Sequence, residues 1–135
     1  MDKREKRDVL LRASRKYIRL GLYHRELSPL HAYQRILGVS KKREDALDLM
    51  AFYDTARFLR IAGKQEALRV FLKVYYRERG GRFAKNDISY RVLRCAKDGY
   101  CDERTVYRHL KTVKTLFEAI RAEYDGYGFL NGNTR

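Results

Sequence analysis

A chain of 135 residues is long enough for one modest core, or for two small helical units sharing one, and too short for two large independent domains. Its 31 Lys+Arg against 17 Asp+Glu leave a formal charge of +14, an excess that repels itself in a compact state and points to a polyanionic partner, nucleic acid first. The apolar residues fall at helical intervals, which excludes global disorder, and no uninterrupted run approaches the ~20 residues that cross a bilayer.

The first segment, 2–20, reads as a helix: Leu10, Ala13, Tyr17 and Leu20 share one side while Arg12, Arg15, Lys16 and Arg19 lie elsewhere. Gly21 suits its stop. This basic helix is either a phosphate-contacting arm or an amphipathic helix with a solvated face. Ser28-Pro29 is a helix-start signature, a capping hydroxyl followed by a residue whose missing N–H costs nothing there, and Gly38 is expected to end that helix near Leu37. Ser40 is then placed to cap a longer helix reaching Ile61 or Ala62, with a stripe of Ala46, Leu49, Met50, Tyr53 and Ala56. Leu47, Phe58 and Ile61 lie off that stripe, so this helix is expected to be a central strut or a dimer surface.

Gly63 is the softest break in the chain. Beyond it a helix over 64–79 carries Ala67, Leu68, Phe71, Val74 and Tyr75 on one face, and Gly80-Gly81 stops it. Asn86 or Asp87 caps a helix over 87–97 that carries Ile88, Val92, Leu93 and Ala96. Asp102 is positioned as the cap of a last helix over 102–124, whose Val106, Leu110, Val113, Phe117 and Ile120 recur at steps of four, three, four and three, a buried stripe at the helical period. The glycine-rich end, 125–135, reads as a loose tail. Strand signals are essentially absent. The expected architecture is all-α with about six helices, an N-terminal helical unit over 1–63 and a helix-turn-helix unit over 64–124.

At 100° per residue from Val106, the residues Arg104, Arg108, Lys111 and Thr115 fall on the outer face of the last helix, with Tyr107 on its flank. A short helix, a turn containing Gly99 and a second helix with a cationic outer face form the arrangement used to read the DNA major groove. Arg104 and Arg108 are suited to guanine O6 and N7, Thr105 and Tyr107 to a base, a thymine methyl or a phosphate, and Lys111, Lys114 and Thr115 to the backbone. The interval from Gly99 to Val106 is long for such a unit, which bears on the angle of the second helix. Splitting the charge after Gly63 gives 15 minus 8 and 16 minus 9, or +7 in each part, so charge alone does not locate a binding face.

The order Glu66-Ala67-Leu68, Val74-Tyr75-Tyr76, Asp87-Ile88-Ser89 and the run Glu103 to Lys111 resembles the C-terminal half of small phage-encoded transcription regulators of the ArpU and RinA type. Those in turn resemble region four of sigma factors. The likeness covers residues 64–120, and its most specific piece is Arg104-Thr105-Val106-Tyr107-Arg108. It implies sequence-specific binding of double-stranded DNA and contact with the transcription machinery, RNA polymerase included.

Other chemistries find little footing. Arg, Tyr, Arg and His within 104–109 are the residue types of a tyrosine recombinase, but neighbours on one helix point away from one another. His24, His31 and His109 are scattered, Cys95 and Cys101 lack zinc spacing, and Gly80-Gly81 lacks the Lys-Ser/Thr of a phosphate loop. No enzyme, metal or cofactor is expected. Eleven tyrosines and six phenylalanines invite a stacking platform, yet most fall on core faces. The start MDKREKRDVLLR lacks the apolar core of a signal peptide, so a cytoplasmic location is expected. The reading is a DNA-binding regulator of phage or mobile-element type, with a homodimer open; a DNA-packaging or nucleoid-type protein and a basic RNA-binding protein are the alternatives.

Overall fold

The structure, a computed structural model, describes residues 3–75 and 87–133, with side chains over 8–75 and 87–126. Six helices run in order: α1 (Lys3–Arg19), α2 (Pro29–Val39), α3 (Arg43–Ile61), α4 (Gln65–Tyr75), α5 (Asp87–Asp98) and α6 (Glu103–Asn133). Among the described residues there is no strand. No described helix is long and apolar enough to cross a membrane. The expected helical residues 76–79, the Gly80-Gly81 stop and the Asn86 cap lie outside the described residues.

The helix ends follow local chemistry. The Ser28 hydroxyl accepts from the His31 amide at 3.2 Å with Pro29 at the first helical position, as the dipeptide foretold. Gly38 does not end α2. The helix runs on to Val39, because Ser40 closes it from outside: its amide and hydroxyl both donate to the Ile36 carbonyl, at 3.0 and 2.6 Å. Ser40 is therefore a C-terminal cap and not the N-cap of α3, where Lys42 sits without a side-chain bond and Glu44 and Asp45 face the positive helix end instead. The stretch 125–133 is helical rather than a loose tail. Extending an existing helix adds a hydrogen bond for each residue fixed, so even Gly126, Gly128 and Gly132, each worth ~1 kcal/mol against helix, are carried along.

One apolar cluster draws on both halves of the chain. α3 is its strut: it packs against α1, α2, α4 and α6, and Ala46, Leu49, Ala51, Phe52, Tyr53, Thr55, Ala56 and Leu59 are buried around most of its circumference. The second apolar set expected there is not what buries it, since Phe58 and Ile61 are 54% and 74% exposed. Phe52 sits at the junction, its ring centroid 5.1 Å from Tyr17 of α1, 6.1 Å from Phe71 of α4 and 6.3 Å from Phe117 of α6. α5 buries Val92, Cys95 and Ala96, while Leu93 is exposed.

Polar ties fix the second half of α6 on α3. Arg121 donates to Asp48 at 2.7 Å, to Glu44 at 2.6 Å and to Asp125 of its own helix at 2.7 Å. Nearby, the hydroxyls of Tyr33 and Tyr124 donate to the two carboxylate oxygens of Asp54, the former at 2.5 Å. Burial, reinforced by that bond, pushes the Tyr33 phenol up to about 12, and Tyr124 is raised for the same reasons. Together these ties join α2, α3 and α6, so the axis of α6 is set by residues far from its first turn.

Candidate nucleic-acid interface

The connection between α5 and α6 is four residues, Gly99 to Asp102. Its backbone closes in a defined pattern: the Tyr100 amide donates to the Lys97 carbonyl at 3.3 Å and the Cys101 amide to the Ala96 carbonyl at 3.0 Å. This pair of bonds is a Schellman motif, which satisfies carbonyls that the end of α5 leaves over. Its left-handed position is Tyr100, at φ 54°; Gly99 precedes it. A side chain at Gly99 would put Cβ 3.3 Å from the Cys95 carbonyl oxygen, so the glycine serves a close backbone approach rather than the reversal itself.

Asp102 then caps α6. Its Oδ1 accepts from the Thr105 amide and the Thr105 hydroxyl, both at 2.8 Å. Those two bonds, the hydroxyl's first, hold the Asp102 carboxyl below its ordinary value, and Arg104 and Arg108 act in the same direction. Val106, Leu110, Val113 and Phe117 are buried as their spacing required. Their burial sets the rotation of the helix and sends Arg104, Tyr107, Arg108, Lys111 and Thr115 to solvent.

The structure thus brings five of the seven expected site residues onto one outer face and sets two aside. Thr105 is half-buried, its hydroxyl donated to the cap and its side chain turned toward α4 beside His109. Lys114 is half-buried on the flank. Thr115 shares the face but lies about three turns beyond Arg104, roughly 16 Å along the axis.

α5 adds residues that the sequence reading passed over. Tyr90, Arg94 and Lys97 are exposed, at the helical spacing that places them away from Val92 and Ala96, with exposed Leu93 on the flank between. An open groove of ≈ 410 Å³ separates this helix from the start of α6, lined by Leu93, Ala96 and Cys101, by the cations Lys97 and Arg104 and by the carboxylates of Asp102 and Glu103. The spacing of Tyr90, Arg94 and Lys97 is the signal in the sequence that marks this face. The side of the unit nearer α4 differs in charge: Arg69 pairs with Glu66 at 2.7 Å and Lys73 with Asp98 at 3.2 Å. Lys97, Arg104, Arg108 and Lys111 form no ion pair among the described residues.

Both cysteines are free thiols, Cys95 buried and Cys101 exposed, and burial raises the Cys95 thiol. Among the described residues no group of three or more His, Cys, Asp or Glu is placed to hold a metal ion. Comparison of the chain with protein-family models, curated proteins and solved structures found no match.

Proposed function

We propose that this protein is a sequence-specific regulator of transcription that binds double-stranded DNA, of phage or mobile-element type, and that it works by binding rather than catalysis. The observation that carries this is the row Arg104, Tyr107, Arg108 and Lys111, solvent-exposed on the helix that follows a four-residue turn, with no ion pair on its cations among the described residues. Cations without internal partners, on a helix of helix-turn-helix connectivity and in a chain of +14, suit the phosphate-lined major groove. In this reading α6 enters the groove by its first turns. Arg104 and Arg108 meet base edges, Tyr107 a base or phosphate, and Lys111 the backbone, while α5 lies across the strand and presents Arg94 and Lys97 to phosphates. The unit made by α1 to α3 supplies further phosphate contacts, a polymerase-facing surface or the contact with a second copy.

Titrating the full chain against labelled duplex DNA at several salt concentrations tests the reading. Neutralising six to ten phosphates predicts an affinity loss of ~10³ to 10⁵ between ~50 and ~200 mM salt. No duplex binding at low salt defeats the proposal. Strong binding indifferent to sequence moves the protein to the packaging or nucleoid class instead.

A further inference from the structure

Among the described residues, three helices end in the same backbone motif. After α1, the Gly21 amide donates to Ile18 O and the Leu22 amide to Tyr17 O, both at 3.1 Å. After α3, Gly63 donates to Arg60 O at 3.2 Å and Lys64 to Leu59 O at 2.7 Å. After α5, Tyr100 and Cys101 repeat the pattern. Each motif needs one residue in the left-handed region, and the φ values agree: 68° at Gly21, 73° at Gly63 and 54° at Tyr100. Two of the three use glycine, which has no Cβ to clash there; the third uses a large aromatic residue, for which that region is an outlier. Among the described residues nothing rewards the choice. Tyr100 is 98% exposed, so its ring covers no apolar surface, and its backbone role is one that glycine fills elsewhere in the same chain.

A residue held in an unfavourable conformation without an internal return is a sign of external contact. Its position says what that contact is. Tyr100 lies in the turn that joins α5 to α6, three residues after Lys97 and four before Arg104. The exposed cations Arg94, Lys97, Arg104 and Arg108 of these two helices form no ion pair among the described residues, although Asp102 and Glu103 stand beside Lys97 and Arg104 in the neighbouring groove. An exposed phenol on the turn between two helices that carry open cations suits a phosphodiester: the hydroxyl donates to a phosphate oxygen and the ring lies on the adjoining sugar. We propose that Tyr100 is a phosphate-backbone contact for duplex DNA, holding the turn between α5 and α6 against one strand. This assignment rests on the DNA-binding reading above and extends it to a residue outside either helix.

The test is the full-length protein with Tyr100→Gly, Tyr100→Phe and Lys97→Ala beside the unaltered chain, measured by fluorescence anisotropy on several labelled duplexes of different sequence and by thermal melting. Tyr100→Gly should raise Tm by a few degrees, since it removes left-handed strain, and yet weaken duplex binding about ten-fold on every sequence, the worth of one hydrogen bond to a charged acceptor. Because the phenol is neutral and releases no counterion, the slope of log affinity against log salt should stay unchanged, whereas Lys97→Ala should reduce it by ~1. Tyr100→Phe should lose most of the same affinity. Duplex binding by Tyr100→Gly within about two-fold of the unaltered chain overturns the assignment while leaving the DNA reading intact. Unimpaired binding by Tyr100→Phe overturns the phosphate hydrogen bond, and a lower Tm for Tyr100→Gly overturns the strain argument. Failure of the unaltered chain to bind any duplex is the failure of the DNA reading itself and takes this contact with it.

Discussion

The two ends of α6 use the same side chain in opposite ways. Arg121, in the second half, is 13% exposed and ties Glu44 and Asp48 of α3 to Asp125 of its own helix. Arg108, thirteen residues earlier and ~20 Å along the axis, is exposed and forms no ion pair among the described residues. Formal charge treats them alike. The fold neutralises one and leaves the other open, so the binding surface of a basic protein is found by asking which cations remain without internal partners. Here five exposed cations without an ion pair among the described residues, Arg94, Lys97, Arg104, Arg108 and Lys111, lie on the outer face of α5 and the first turns of α6. Others such as Arg12, Arg19, Lys41, Lys42 and Arg57 lie in the N-terminal part, and the α4 side is cancelled by Glu66 and Asp98.

The largest effect belongs to the residue on which both ends of the comparison depend. Phe52 is fully buried and touches aromatic rings from α1, α4 and α6. Phe52→Ala should lower stability by ~3–5 kcal/mol, the usual range for an emptied aromatic site in a core. The helices should be lost together, as one transition in urea with coincident far-ultraviolet and tyrosine signals. Two separated transitions would break the picture of one shared core and make the halves independent units.

Arg121→Met comes next. It leaves Asp48, 18% exposed, without its cation; fully buried pairs lose ~3–5 kcal/mol on such a change. Exposed Glu44 and Asp125 add little, so ~2–3 kcal/mol is expected. The pH dependence has a definite sign. Burial already raises the Asp48 carboxyl above its ordinary value, with Arg121 pulling it down, and losing Arg121 raises it further. A raised carboxyl binds its proton more readily folded than unfolded, so the variant's deficit is full at neutral pH and shrinks as pH falls through the raised value. Melting curves from pH 7 to pH 5 check this; a deficit that grows in acid would refute it. Duplex affinity of the folded variant should match that of the unaltered chain.

Arg104→Ala and Arg108→Ala should do the reverse. Both side chains are exposed, so stability should stay within ~0.5 kcal/mol, while discrimination of the target site should fall by ~1–3 kcal/mol for each base contact removed. Competition binding with specific and scrambled duplexes separates the roles. Equal weakening on both makes these arginines phosphate contacts and moves base reading elsewhere on α6.

What the sequence made legible was whatever one helix decides alone. The stripe from Val106 to Phe117, the Ser28-Pro29 start and the Asp102 cap follow from periodicity and local hydrogen bonding, and all are present. Misreadings came where two interactions compete for one residue. Ser40 has a hydroxyl suited to starting α3 and a backbone position suited to closing α2; the bond to Ile36 decides for the latter. Gly99 is the glycine of its turn, yet the left-handed position falls one residue later, at Tyr100, because the last carbonyls of α5 set the register. Long-range ties such as Tyr124 on Asp54 have no local signature at all. Thr105 is expected at a base, a thymine methyl or a phosphate; in the fold its hydroxyl is given to the Asp102 cap three residues before it, a bond that the motif Asp-x-x-Thr could have announced.

That cap gives the smallest effect and the most direct link between the stability of α6 and its face. The bonds from Thr105 hold the Asp102 carboxyl below its ordinary value, so the ionised form stabilises the native state at neutral pH, and this contribution is lost as pH falls through the lowered value. Asp102→Asn keeps an acceptor for the Thr105 amide without the charge. Its melting temperature should lie slightly below that of the unaltered chain at pH 7 and approach it toward pH 3. A difference constant across that range would mean that the charge plays no part in the cap. Asp102→Ala, which removes the acceptor as well, should be the less stable of the two at pH 7. The negative charge also sits close enough to Arg104 and Arg108 for each to favour its ionised form, so it opposes a phosphate brought to them. Asp102→Asn should therefore bind all duplexes somewhat more tightly while its helix start is slightly weaker, a trade that a purely structural acid would not show.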